Sequence, residues 1–108
     1  MADWTLKQND DAPAIEALLS YDDGSVPSSM SSVVCKIRLS SGGSLVTGGT
    51  DSIMDAGTAR VRHDWSDGGI AAPGTYNVEW EVTFTGGRKT TFPAQGYMTL
   101  EITDDLDA

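Results

Sequence analysis

His63, Asp64 and Ser66 lie close together in the chain and are the residue types of a catalytic base, an orienting acid and a nucleophile. His63 and Asp64 fall near the end of a run from Thr58 to Trp65 in which Ala59, Val61, His63 and Trp65 alternate with Arg60, Arg62 and Asp64, and Ser66 follows it. Neighbours on a pleated strand point to opposite faces, so His63 and Asp64 do not meet as base and orienter. His63 reads instead as a partly buried histidine. Glu79 and Glu81 share one face of a strand, but a glycosidase holds its sugar between carboxylates across a cleft, and one continuous strand provides none. Asp10, Asp11, Asp22, Asp23, Asp51, Asp55 and the aspartates of the C-terminal tail offer oxygens of the kind calcium takes. The calcium-binding helix-loop-helix pattern is absent, and aspartates in turns bond to their own backbone, which is the preferred reading here. Ser-Gly-Gly-Ser and Thr-Gly-Gly-Thr lack the lysine and the following helix of a phosphate loop and read as turns. Cys35 falls on the inward face of a strand, whereas a reactive thiol needs an exposed, electropositive position. The sequence therefore predicts no enzyme and assigns no catalytic, cofactor-binding or metal-ligating residue.

The elements that position these residues are strands. From Gly74 to Phe84, Tyr76, Val78, Trp80, Val82 and Phe84 fall on one side of a period-two ladder and Asn77, Glu79, Glu81 and Thr83 on the other, a strand with one core face and one wet face. Residues 3–8 predict an edge strand with Trp4 and Leu6 on one face. Residues 14–21 follow with Ile15, Ala17, Leu19 and Tyr21 inward and Leu18 outward. The Ser-rich run from Val26 to Ser32 reads as a loop. Residues 33–40 alternate Val33, Cys35, Ile37 and Leu39 with Val34, Lys36, Arg38 and Ser40, and weak edge strands are expected at 44–47 and 50–54. Gly86-Gly87 marks a hairpin, and residues 88–93 and 97–103 form a return broken at Pro93-Ala94-Gln95-Gly96.

About eight short strands with no sustained helical period predict an all-β, antiparallel sandwich of the immunoglobulin-like kind, over residues 1–103, with an acidic tail at 104–108. Ala72-Pro73-Gly74-Thr75-Tyr76 has the form of a tyrosine corner, in which a Tyr near the start of the sixth strand bonds back to upstream backbone. Side by side, residues 33–40 and 74–84 bring Lys36 and Arg38 near Glu79 and Glu81. Trp80, Trp65 and Trp4 are assigned to the core.

The 108 residues suit one domain. Seven basic against sixteen acidic residues, a formal charge of −9, exclude a nucleic-acid-binding role that depends on clustered cations. One cysteine forms no internal disulfide, so packing must hold the fold. Apolar runs of only a few residues predict neither a signal peptide nor a membrane partner.

Met-Ala-Asp-Trp-Thr-Leu-Lys-Gln-Asn-Asp at 1–10, Ala-Arg-Val-Arg-His-Asp-Trp at 59–65, Pro-Gly-Thr-Tyr at 73–76 and Thr-Phe-Pro-Ala-Gln-Gly-Tyr at 91–97 follow one another along the chain. In this succession, which spans essentially its whole length, the sequence resembles the immunoglobulin-like domain of tailed-bacteriophage virion proteins. That domain occurs at the N-terminus of baseplate upper proteins and in small head-surface proteins. Such sequences usually carry Tyr before the Asp-Trp pair; His63 makes that core site more polar. The resemblance implies a non-enzymatic structural role and carries over no catalytic residue, cofactor or metal ligand. It implies as partners the phage major capsid protein or other virion proteins, self-association on the virion, and a place on the capsid exterior after synthesis in the host cytoplasm. Capsid decoration is expected over a baseplate or tail position, because a baseplate upper protein extends toward receptor-binding parts and this chain stops at Ala108. A host-surface or glycan-binding module is a further reading. Interface centres favour aromatic and Met side chains over charges, which makes Trp4, Leu18 and Met30 the candidate contact residues.

Overall fold

The computed structural model describes residues 2–106. Its eight strands are β1 (Trp4–Lys7), β2 (Ile15–Leu18), β3 (Met30–Leu39), β4 (Thr50–Asp55), β5 (Arg60–Asp64), β6 (Gly74–Phe84), β7 (Lys89–Phe92) and β8 (Met98–Thr103), and no helix forms among the described residues. One sheet runs β1-β8-β6-β3 with β7 also paired to β6; the other runs β2-β5-β4. This is an all-β sandwich in the immunoglobulin order, with β2, β5 and β4 in the places of strands B, E and D, and β3, β6 and β7/β8 in those of C, F and G. Every strand pair among the described residues is antiparallel except β1 and β8, the first and last strands, which run parallel.

The alternation of β6 dictates the packing. Tyr76, Val78, Trp80 and Val82 are buried with Val33, Cys35 and Ile37 of β3 and Leu100 and Ile102 of β8, facing Ile15, Val61 and His63 of the second sheet. Trp80 is fully buried, and its Nε1 has no hydrogen-bond partner among the described residues. Trp4, Trp65 and Phe84 are half-buried and pack against this core from its margins. Both outer indoles tie strands to neighbouring backbone: Trp4 Nε1 donates to Glu16 O (3.2 Å), and Trp65 Nε1 donates to Pro13 O (3.0 Å). Tyr76 Oη donates to Ala72 O at 2.7 Å, the bond a tyrosine corner makes.

The structure departs from the sequence reading at several places. The Ser-rich run is not loop throughout, because β3 already begins at Met30, which sits opposite Phe84 across an irregularity between Met30 and Ser32. The length of β6 draws these residues in: its last residues offer backbone partners, and Thr85 N–H donates to Ser29 O (2.9 Å). Residues 44–47 form no strand. Between glycine pairs that all adopt positive φ, they make one bond to the edge of β3, from Val46 N–H to Ile37 O (2.7 Å). β2 ends at Leu18, and although Leu19 remains buried, Tyr21 turns outward to the end of the sandwich and packs on Phe92 at 5.3 Å between ring centroids. The tail is bonded where it begins, with Asp105 N–H donating to Gln8 Oε1 (2.9 Å). The expectation for Asp107 and Ala108 lies outside the described residues.

Candidate functional site

Two groups of residues merit consideration, one inside the sandwich and one on its flank. Inside, β4 pairs with β5 so that Asp51 stands opposite His63. Both point between the sheets, where His63 is only 4% exposed and its Nδ1 lies 2.5 Å from Asp51 Oδ1. The second carboxylate oxygen accepts the backbone N–H of Cys35 at 3.0 Å. Cys35 lies on β3, the edge of the other sheet, so one aspartate links both sheets. The ligating atoms of Cys35, Asp51 and His63 all lie within 4.8 Å of one another. Burial pushes the Cys35 thiol well above the usual thiol range, and the Asp51 carboxylate pushes it the same way. The thiol is thus held protonated and is a poor nucleophile.

Local packing fixes the imidazole. Trp65 meets its ring edge-on at 4.7 Å between centroids. Gly49 closes over the other side at φ +85°, so close that a Cβ there would lie 2.7 Å from His63 Cε1 and 2.4 Å from Asp64 O. A side chain at position 49 would push the imidazole off the carboxylate.

Asp64 points to the opposite face, as the pleat requires, and bonds Arg62 Nε at 3.0 Å. Arg62 also reaches Glu16 at 3.2 Å. Asp64 and Ser66 therefore take no part in the His63 cluster. The remaining aspartates largely hold backbone: Asp23 accepts from Ser25 N–H, Asp55 from Gly57 N–H and Asp11 from Gly68 N–H. Asp51 also holds backbone, at Cys35 N–H, but differs in pointing between the sheets. Its inward direction was readable in principle, because it shares a face with Ile53, an apolar residue that packs against the core. The uncertain bounds of this short edge strand hid that face.

On the flank, Trp4, Ala17, Leu18 and Met98 line a shallow groove of about 250 Å³ with Asp3 and Glu16 at its rim. Leu18 is 65% exposed there. Trp4 joins it because β1 and β2 belong to different sheets whose margins meet, fastened by the bond from the Trp4 indole to Glu16. Met30 does not join them. It lies half-buried at the start of β3 against the core, so the three candidate contact residues form a pair and an outlier. A second hollow, about 240 Å³, lies on the wet face of the larger sheet between Lys36, Arg38, Leu45, Asn77, Glu79 and Tyr97. Lys36 there bonds Glu81 at 3.1 Å rather than Glu79, its partner in register. Glu79 and Glu81 thus lie on an open sheet face, not across a cleft.

No family model, no curated protein and no solved structure matches the chain.

Proposed function

We propose that the chain is a non-enzymatic structural protein of a bacteriophage virion that decorates the capsid, docking on the assembled shell through the flank formed by Trp4 and Leu18. The resemblance of the sequence to virion immunoglobulin-like domains supports this reading, and the observation that carries the docking surface is the groove itself. An aromatic and two long apolar side chains, Trp4, Leu18 and Met98, stand together at one margin of an otherwise acidic sandwich. Such an apolar centre with a polar rim suits a protein contact. A capsid presents the same surface many times in symmetric array, so a modest contact reaches high occupancy when neighbouring copies also touch or one copy spans two subunits.

Co-sedimentation tests the reading. Empty heads lacking the protein and purified tails are each mixed with it, and with a Leu18→Glu variant whose exposed substitution leaves the core untouched. Saturable binding to heads, weakened by Leu18→Glu, is the expected result. Binding to tails alone would replace decoration with a baseplate role.

A glycan-binding reading has one observation in its favour, the 57% exposed ring of Tyr97 beside Asn77, Arg38 and Glu79 in the second hollow. Saturable binding of host surface glycans that is abolished by Tyr97→Ala would favour it.

A further inference from the structure

We infer that Cys35, Asp51 and His63 form a site for one divalent ion of the zinc class, which clips the edge strand β3 to the β4–β5 pair across the interior of the sandwich. The three side chains offer a sulfur, a nitrogen and an oxygen, a mixed set that suits zinc and does not suit calcium or magnesium, which take oxygen. Their ligating atoms already lie within 4.8 Å of one another. Zinc bonds of about 2.0–2.3 Å in tetrahedral array put ligand atoms roughly 3.3–3.6 Å apart. Small side-chain rotations therefore complete the set, with the short contact between His63 Nδ1 and Asp51 Oδ1 opening to admit the ion.

The surroundings are those of a built site. Asp51 is oriented by the Cys35 backbone N–H, and His63 is held between Trp65 and Gly49, so two of the three ligands are fixed before any ion arrives. The charges close as well. A thiolate and a carboxylate neutralise a dication, with a neutral imidazole as third ligand, which removes the cost of leaving a carboxylate among buried groups. On binding, the thiol proton leaves to solvent as the metal–sulfur bond forms, and the imidazole proton moves by exchange with solvent from Nδ1, where it faces Asp51, to Nε2, which frees the Nδ1 lone pair for the ion. Asp51, the most accessible of the three side chains, marks the side from which an ion or a fourth ligand enters. A metal joining the sheets would also do what a disulfide does in other sandwiches of this order, in a chain whose single cysteine cannot form one internally.

Cobalt is the direct probe, because a thiolate bound to Co²⁺ gives a charge-transfer absorption that oxygen and nitrogen ligands do not. The full chain, stripped with a chelator, is titrated with Co²⁺ and then with Zn²⁺. The expected result is a thiolate–cobalt band saturating near one equivalent, bleached by Zn²⁺, together with a zinc-dependent rise in melting temperature. Asp51→Asn and His63→Gln should each weaken Co²⁺ binding by about tenfold or more. A titration of the unsubstituted chain without that band overturns the inference whatever the variants do. A band of unchanged affinity in both variants would do so too, since the thiol would then bind alone.

Discussion

Tyr76 and Trp80 sit on the same buried face of β6 and differ in how their polar atoms fare. The Tyr76 hydroxyl bonds Ala72 O, and burial raises its phenol above the ordinary tyrosine range. Tyr76→Phe keeps the ring and loses that bond, so chemical denaturation should show a loss of about 0.5–1.5 kcal/mol. Trp80 contributes through packing, since its buried Nε1 has no partner among the described residues. Trp80→Ala should cost about 3–5 kcal/mol by opening a cavity in the core. Trp80→Phe should cost clearly less, because the phenyl ring fills part of that cavity and no hydrogen bond is lost; equal losses for the two variants would contradict packing as the source of the Trp80 contribution. On the wet face, the hydrogen bond from Lys36 and then its charge hold the Glu81 carboxyl below the usual glutamate range. A depressed carboxylate adds stability that is present above the ordinary glutamate pKa and lost as pH falls through the lowered one. An NMR titration should show the Glu81 midpoint rising in Lys36→Met, with little change in stability at neutral pH, since the pair lies half-exposed on the wet face of the sheet, where solvent screens it.

Among the elements, β3 is the most demanding, because it forms the edge of its sheet and its outer backbone groups need cover. Val46 N–H caps Ile37 O, and Asp51 caps Cys35 N–H. Asp51→Ala should therefore accelerate hydrogen exchange at the Cys35 amide while amides facing β6 stay protected. Equal exchange in both proteins would mean that the carboxylate does not guard that edge. Gly49→Ala meets both a positive φ and the backbone oxygen of Asp64, and a strained backbone of this kind costs roughly 1–3 kcal/mol. Both faces of β6 were legible in the sequence because the nine residues from Tyr76 to Phe84 alternate without a break. β4 was not, because six residues between turns give the pattern few repeats, and its inward aspartate looks like a turn former when read alone. Met30 is a strand residue in a context that signals a loop for a related reason: the composition around it is Ser-rich, and only the length of the partner strand overrides that signal.

At the scale of the whole molecule, the sandwich class and the pairing of residues 33–40 with 74–84 followed from strand count, turn spacing and the tyrosine corner, while the sites depended on contacts far apart in the chain. Trp4 and Leu18 were each legible, one as an aromatic near the chain start and the other as an apolar residue on a wet face. Their adjacency arises from pairing β1 with β8 and β2 with β5, which the local pattern does not encode. The same holds for the Cys35–Asp51–His63 cluster, whose members come from three strands and both sheets. The most direct measurement of the proposed role is a density map of the intact virion into which this sandwich is fitted. The account predicts the domain on the outside of the head, with the Trp4–Leu18 groove against the major capsid protein. A sandwich found in the baseplate, or on the head with that groove facing solvent, would contradict it.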